Sequence, residues 1–268
     1  MRRAAVFAFA LVLTGCFHFE SAIHVEPDGS GTLTERFEVR GLAAMFMEAD
    51  STGDGILDRE RLLERADALG VRLDSVVLLG ATGYQAYFGF ADVNRLAYVL
   101  DDGAFATKED EADPDAVEEP EDDRGEISFA FAFEPAGDGP ATLQVLSPPR
   151  ETSAEPTPEP EALPDSSRQK ILGSLPMLRA AMGDLRMNVR ITVGGQIVDS
   201  DASHADSTGL TLAAIDFRRV LDHIAEAPEA AGALGLGDQG DTGPADFFSR
   251  DVPGVAFERQ EVVTVTFQ

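Results

Sequence analysis

The residue types that most often do chemistry in proteins are scattered through this chain without a shared pattern. The four histidines lack metal-ligand spacing, and none lies in a His-Glu-x-x-His segment. These are His18, His24, His204 and His223. No Gly-x-Ser-x-Gly elbow or Walker loop occurs, and the 48 acidic residues make any choice of a glycosidase pair arbitrary. We therefore predict a non-enzymatic protein with no cofactor; a site that only the fold assembles is the alternative.

One acidic segment, residues 50–58, resembles part of a calcium-binding EF-hand loop. Loop positions one, three, five and six hold Asp50, Thr52, Asp54 and Gly55. Position twelve is Arg61, where an EF-hand has a bidentate glutamate, so the strongest ligand is missing. We favour the alternative that the segment is a turn with Asp58 as the N-cap of a helix, and we predict no metal site.

The single cysteine, Cys16, follows a segment typical of an export signal. Arg2 and Arg3 begin it, and residues 4–13 form an uncharged apolar run, shorter than the about 20 residues that span a bilayer. The stretch Leu13, Thr14, Gly15, Cys16 resembles the lipobox of bacterial lipoproteins. The resemblance implies that residues 1–15 are cleaved, that the Cys16 sulfur receives diacylglycerol, and that the new amino terminus is acylated. A secretory signal with an incidental cysteine is the alternative.

The lipobox resemblance also predicts where the protein lies. Two or three acyl chains anchor a protein stably, whereas one chain binds a membrane only marginally. In Gram-negative lipoproteins an aspartate after the cysteine retains the protein in the inner membrane. Phe17 stands there in this chain, which favours the outer membrane, facing the periplasm.

The composition of the remaining chain, residues 16–268, restricts the classes of molecule that it could bind. The net charge is −27, and it becomes more negative when Arg2 and Arg3 are removed. Such acidity argues against nucleic acid as a partner and against an anionic bilayer as a docking surface. Because the only cysteine is the predicted lipid attachment site, no internal disulfide is possible.

Hydrophobic periodicity predicts an α+β fold with a mainly antiparallel sheet built from hairpins. Alternation on both sides of the turn sequence at 27–31 predicts a hairpin directly after the anchor, with a tether of at most about five residues, or 17 Å. Further strands are predicted at 71–79, 84–90, 127–134 and 262–267, and a strand pair around Gly194 and Gly195. Helices are predicted at 59–69, from Asp165 with a kink or restart at Pro176, and from near Asp216. The first of these has the predicted apolar face Leu62, Leu63, Ala66 and Leu69.

Three segments of the α+β domain have compositions typical of disorder or linkers. Residues 101–126 contain thirteen acidic and two basic residues and read as a disordered insert. Residues 148–164 form a Pro/Glu-rich linker, and residues 226–245, rich in Gly, Ala and Asp, are predicted to form a mobile loop.

An aromatic strip is the one candidate ligand surface that the sequence offers. Phe129, Phe131 and Phe133 lie on one face of a predicted strand, with alanines on the other. Such a strip could line an apolar pocket, although strips of this kind more often form core.

The order of motifs resembles the LppM-like envelope lipoproteins. Three stretches carry the likeness: Pro-Asp-Gly-Ser-Gly at 27–31, Gly-Tyr-Gln-Ala-Tyr-Phe-Gly-Phe-Ala-Asp at 83–92, and Val-Gly-Gly-Gln-Ile-Val-Asp-Ser-Asp at 193–201. Gly194, Asp201 and Leu212 depart from the family's proline, asparagine and tryptophan, so the chain is a divergent member or a separately evolved similar fold. The resemblance implies a membrane-anchored domain without catalytic residues, concerned with envelope lipids or glycolipids.

Two functional hypotheses follow. The first is a binding module that holds a lipid or another amphiphile against the phenylalanine strip, and we slightly favour it. The alternative is an envelope scaffold that engages a partner protein through its acidic insert or mobile loop. A pocket lined by the three phenylalanines would support the first hypothesis, and a filled core with an exposed apolar patch would support the second.

Overall fold

The computed structural model describes most of the residues that follow the predicted signal segment. The described ranges are 16–40, 44, 59–100, 127–137, 139–147, 165–228, 230–233 and 252–268. Several predictions therefore lie outside them, namely those for residues 1–15, 50–58, 101–126 and 148–164 and for most of 226–245.

Thirteen strands and four helices form the described part of the chain. The strands are β1 (Cys16–Val25), β2 (Gly31–Arg40), β3 (Arg72–Leu78), β4 (Gly83–Phe90), β5 (Tyr98–Leu100), β6 (Ile127–Glu134), β7 (Ala141–Leu146), β8 (Arg186–Val193), β9 (Ile197–Ser200), β10 (Ala205–Asp206), β11 (Gly209–Asp216), β12 (Val255–Phe257) and β13 (Val262–Phe267). The helices are α1 (Arg59–Leu69), α2 (Asp165–Met182), α3 (Phe217–Glu226) and the single turn α4 (Ala230–Ala233), and Val93–Arg95 form a 3₁₀ turn.

The large sheet has eight strands, and β1 lies at its centre. Its order is β10-β11-β8-β1-β2-β4-β3, with β12 paired to β11. The predicted hairpin β1–β2 is confirmed, and its tight turn uses Gly29, whose φ of 84° favours glycine. The sheet is not purely antiparallel, because β1 and β8 run parallel. The fold is therefore α+β and dominated by sheet, with one parallel pair inside an otherwise antiparallel sheet.

The small sheet has five strands in the order β5-β6-β7-β13-β9, and it packs its apolar face against the large sheet. Alternation explains which side chains face inward: Val263, Val265 and Phe267 of β13 are buried, and the residues between them are not. One core cluster contains inward residues of both sheets together with Leu62, Ala66 and Leu69 of α1. Helices α2 and α3 form a smaller second cluster around Leu175, Leu221 and Ile224.

Two local predictions were wrong. The strands flanking Gly194 and Gly195 do not pair with each other, since β8 lies in the large sheet and β9 in the small one. The two glycines form the corner between the sheets, and Gly195 has a φ of 142°. Leu63, which the sequence places on the apolar face of α1, is 47% exposed, because only Leu62, Ala66 and Leu69 face the core.

Candidate functional site

The structure starts strand β1 at Cys16 itself. Cys16 pairs in register with Arg40, the last residue of β2. Because β1 is the central strand of the large sheet, any group attached to Cys16 is joined directly to the middle of that sheet. No residues therefore separate Cys16 from the first strand, whereas the sequence pattern allowed a tether of up to about five residues. We call the strand ends beside Cys16 the anchored end of the large sheet.

A row of apolar side chains lies at the anchored end. The Phe17 and Phe37 rings are stacked with centroids 6.3 Å apart, and the centroids of Phe37 and Tyr84 are 6.0 Å apart. Tyr84 pairs across the strands with Leu78, which is 61% exposed at the end of edge strand β3. The row thus runs from the partly buried aromatic rings to an exposed leucine.

Charges at the anchored end are paired. Glu38 accepts hydrogen bonds from Arg36 Nη2 and Arg40 Nη2, both at 2.9 Å. The hydrogen bond from Arg40 is the largest cause of the lowered pKa of Glu38, and the same bond raises the pKa of Arg40. Two arginines therefore share the Glu38 carboxylate close to the point of attachment, and the carboxylates of Glu20 and Asp184 also act on Arg40.

A buried polar cluster lies further inside, beneath helix α1. Arg65 donates from Nε and Nη2 to the two carboxylate oxygens of Glu35, at 2.8 and 2.7 Å. Glu35 is 2% exposed, and its strand neighbour Ser21 is 1% exposed. Burial of Arg65 opposes its charged form, but the hydrogen bonds to Glu35 dominate together with the carboxylate's charge, so the pKa of Arg65 rises. Sequence alternation contained a signal for this cluster, since Glu35 stands at an inward position between Leu33 and Phe37.

Two tyrosines border this cluster. Burial, followed by the nearby charge of Glu35, raises the pKa of Tyr84 to about 12. The same two causes raise the pKa of Tyr98 further, and the Ser21 hydroxyl opposes this shift. The hydroxyls of Tyr98 and Ser21 are nevertheless both buried without an aligned hydrogen-bond partner. A buried hydroxyl without an aligned hydrogen bond lowers the stability of the core.

The phenylalanine strip faces the core between the two sheets. Phe129 is 1% exposed, and its ring centroid lies 6.4 Å from that of Tyr98 and 6.3 Å from that of Phe257. Phe131 is 5% exposed, and the ring centroids of Phe133 and Phe267 are 6.3 Å apart. Protein side chains therefore occupy the space around the three rings. Their proposed contact with a ligand stays a prediction.

The histidines lie in separate parts of the fold. His18 and His24 lie 3.3 Å from Glu20 and Glu26 on the outward face of β1. His223 lines a shallow surface cleft of about 220 Å³ beside α3, together with Arg219, Asp222, Glu226 and Pro253. Within the described ranges, no group of three or more His, Cys, Asp or Glu residues could hold a metal ion.

Among the described residues, no helix combines the length and apolarity needed to cross a bilayer.

Comparison with known proteins yields one loose structural likeness. No family model and no curated protein matches the chain. The folded domain of LppM from Mycobacterium tuberculosis, solved by NMR, aligns over 74% of this chain and 81% of that domain. The sequence identity is 9% and the TM-score is 0.30. Likeness at this level says nothing about function, so the similarity to LppM-like proteins remains a resemblance.

Proposed function

We propose that this chain is a bacterial envelope lipoprotein, anchored through acylated Cys16, whose folded domain is a non-catalytic binding module for another envelope protein. In a Gram-negative host it would lie on the outer membrane and face the periplasm. One observation carries the proposal: the residue that resembles a lipidated cysteine is also the first residue of the central strand. A fold anchored in this way is held at the bilayer surface in a restricted orientation.

The outward face of the large sheet supports a protein partner. It consists of side chains that alternate with the core-facing ones and are all at least partly exposed: His18, Glu20, His24, Thr32, Thr34, Arg36, Gln85, Tyr87, Asn188, Arg190 and Thr192. We call this set the outer face. Arginine and tyrosine are enriched among residues that dominate binding energy at protein interfaces. Arg36, Tyr87 and Arg190 therefore give the outer face three side chains of the kinds that anchor protein interfaces. The two arginine charges are compensated, since Arg36 pairs with Glu38 and Arg190 pairs with Asp206.

The anchor is tested with Cys16→Ser. The variant should lose labelling by a fatty-acid probe and accumulate as uncleaved precursor, whereas the wild type should be labelled. The matched control is the double variant Cys16→Ser with Ala81→Cys, which has a thiol in the exposed β3–β4 turn instead. This thiol should not restore labelling. Labelling of Cys16→Ser would refute the anchor.

The partner is tested by photo-crosslinking in cells. A photoreactive amino acid in place of Tyr87 should give one discrete protein adduct, and the same group in place of Val198, exposed on the small sheet, should not. Arg36→Glu and Arg190→Glu together should reduce the Tyr87 adduct, because they remove two arginines from the outer face and place new carboxylates beside Glu38 and Asp206. Equal adducts from positions 87 and 198, or none, would refute the proposed surface.

An amphiphile ligand is the second candidate. It is supported by the Tyr98 hydroxyl, which is buried near the Ser21 hydroxyl without an aligned hydrogen bond. A ligand with a polar atom could satisfy that hydroxyl if the two sheets separated. Native mass spectrometry of the acylated protein tests it: a stoichiometric extra mass in the lipid range, beyond the covalent acyl groups, would support an amphiphile ligand. A clean mass would leave the partner-protein function as the sole proposal.

A further inference from the structure

The orientation of the anchored end follows from strand register. Cys16 lies opposite Arg40, and the amide of Val39 donates to the Thr82 carbonyl in the β3–β4 turn at 2.8 Å. That turn therefore lies two strands from β1, about 10 Å away at the usual strand spacing. Because Cys16 begins β1 without a tether, acyl chains on it would bring the β3–β4 turn close to the bilayer as well.

The side chains at this end suit a membrane interface. Leu78 is the most exposed large apolar side chain among the described residues, at 61%. Beside it lie Tyr84, Phe37 and Phe17, each only partly buried. Aromatic rings with one apolar and one wet side are favoured at the headgroup level of a bilayer, and an exposed leucine gains free energy on entering it.

Local ion pairing weakens the main objection to membrane contact, although the carboxylates of Glu20 and Asp184 also lie near Arg40. The chain as a whole has a net charge of −27 and would be repelled by an anionic surface. At the anchored end, however, Glu38 is paired with both Arg36 and Arg40. Arg40 remains 46% exposed, so its guanidinium can reach headgroup phosphates while its stem covers apolar surface.

We propose that the anchored end of the large sheet lies directly on the bilayer, with Leu78 entering the interface and the partly buried Tyr84–Phe37–Phe17 row lying next to the headgroups. This inference rests on the proposed acylation of Cys16 and goes beyond it, because it assigns a second, non-covalent membrane contact. The outer face then stands roughly perpendicular to the membrane and stays accessible to a partner.

The chain contains no tryptophan, so a single substitution introduces a unique fluorophore. The test uses full-length Leu78→Trp, purified with its acyl groups and reconstituted in phosphatidylcholine vesicles that carry bromine on the upper acyl carbons. Val198→Trp is the matched control. Val198 is also an exposed apolar residue on an edge strand, but it lies close to the Gly194–Gly195 corner. That corner is about 30 Å from Cys16, measured along strand β1. Intact mass establishes acylation of each sample.

Bromine should quench the emission of Leu78→Trp about twofold, since apolar side chains at an interface reach about 5–10 Å into the headgroup and acyl boundary. The emission of Val198→Trp should stay unchanged. Acylated protein in which Leu78→Trp is not quenched, or in which both variants are quenched equally, would overturn the seating and leave the anchor intact. Protein that carries no acyl group would overturn both the anchor and the seating.

Discussion

Arg65 of helix α1 and Glu35 of strand β2 form a two-point ion pair, with N–O distances of 2.8 and 2.7 Å. The pair connects the helix to the large sheet at a place where the alternation of β2 calls for an apolar residue. Glu35 is almost completely buried, so its charge depends on Arg65 for compensation.

Removing one member of this pair should destabilise the protein more than removing both. Arg65→Met leaves the Glu35 carboxylate buried without its main partner and should lower the free energy of unfolding by about 3–5 kcal/mol. The double variant Glu35→Leu with Arg65→Met should recover most of that loss, because no buried charge remains. Urea denaturation of the four proteins gives the coupling free energy. Additive losses would show that the pair does not act as a unit.

Alkaline pH should destabilise the fold through Tyr84 and Tyr98. Both have pKa values raised above 10.0 in the folded state, that of Tyr84 to about 12. Between pH 10 and 12 the unfolded chain therefore releases protons that the folded chain still holds, so stability falls as pH rises. Each tyrosine should contribute a loss of about 1.4 kcal/mol per pH unit in that window. Urea midpoints at a series of alkaline pH values measure the slope.

Tyr98→Phe is the matched variant for the alkaline effect. At neutral pH it removes a buried hydroxyl that has no aligned partner, so stability should be unchanged or higher. Above pH 10 the slope of stability against pH should become shallower, and tyrosinate absorbance should lose its latest-titrating component. An unchanged slope would mean that Tyr98 does not titrate as its burial requires.

Truncating a side chain of the phenylalanine strip should lower the free energy of unfolding even when no ligand is bound. Phe129→Ala removes a ring packed between Tyr98 and Phe257 and should cost about 3–5 kcal/mol, measured as a lower urea midpoint. Phe133→Ala should cost less, since Phe133 is only partly buried. A Phe129→Ala protein as stable as the wild type would instead indicate a loosely filled space that a ligand could occupy.

Glu258 should stabilise the turn that leads into β13. This residue is 1% exposed and accepts hydrogen bonds from the backbone amides of Ser203, Arg259 and Gln260 and from the Ser203 hydroxyl. Glu258→Gln turns an amide donor toward these donors and should cost about 2–4 kcal/mol. Glu261→Gln, at an exposed position, should cost almost nothing. Faster hydrogen exchange at the Ser203 amide in Glu258→Gln alone would confirm the role.

Sequence alone was sufficient where the structure is local. The sequence predicts the hairpin β1–β2, helix α1 ending before Gly70, the alternating strand β13 and the start of α3 near Asp216. Each depends on side chains a few residues apart: a period of two or near 3.6, a glycine with positive φ, or a capping carboxylate. The resemblance of residues 13–16 to a lipobox is equally local, and acylation of Cys16 remains a proposal.

Tertiary structure alone decided which distant elements meet. The parallel pairing of β1 with β8 brings His24 within 2.9 Å of Thr192, 168 residues away, and nothing in either segment specifies its partner. The same holds for the separation of β8 and β9 into two sheets and for the Glu35–Arg65 pair. Burial against many neighbours at once determines these contacts, so short-range patterns do not contain them. The placement of Leu78 at the same end of the large sheet as Cys16 is of this kind, and the proposed membrane contact follows from it.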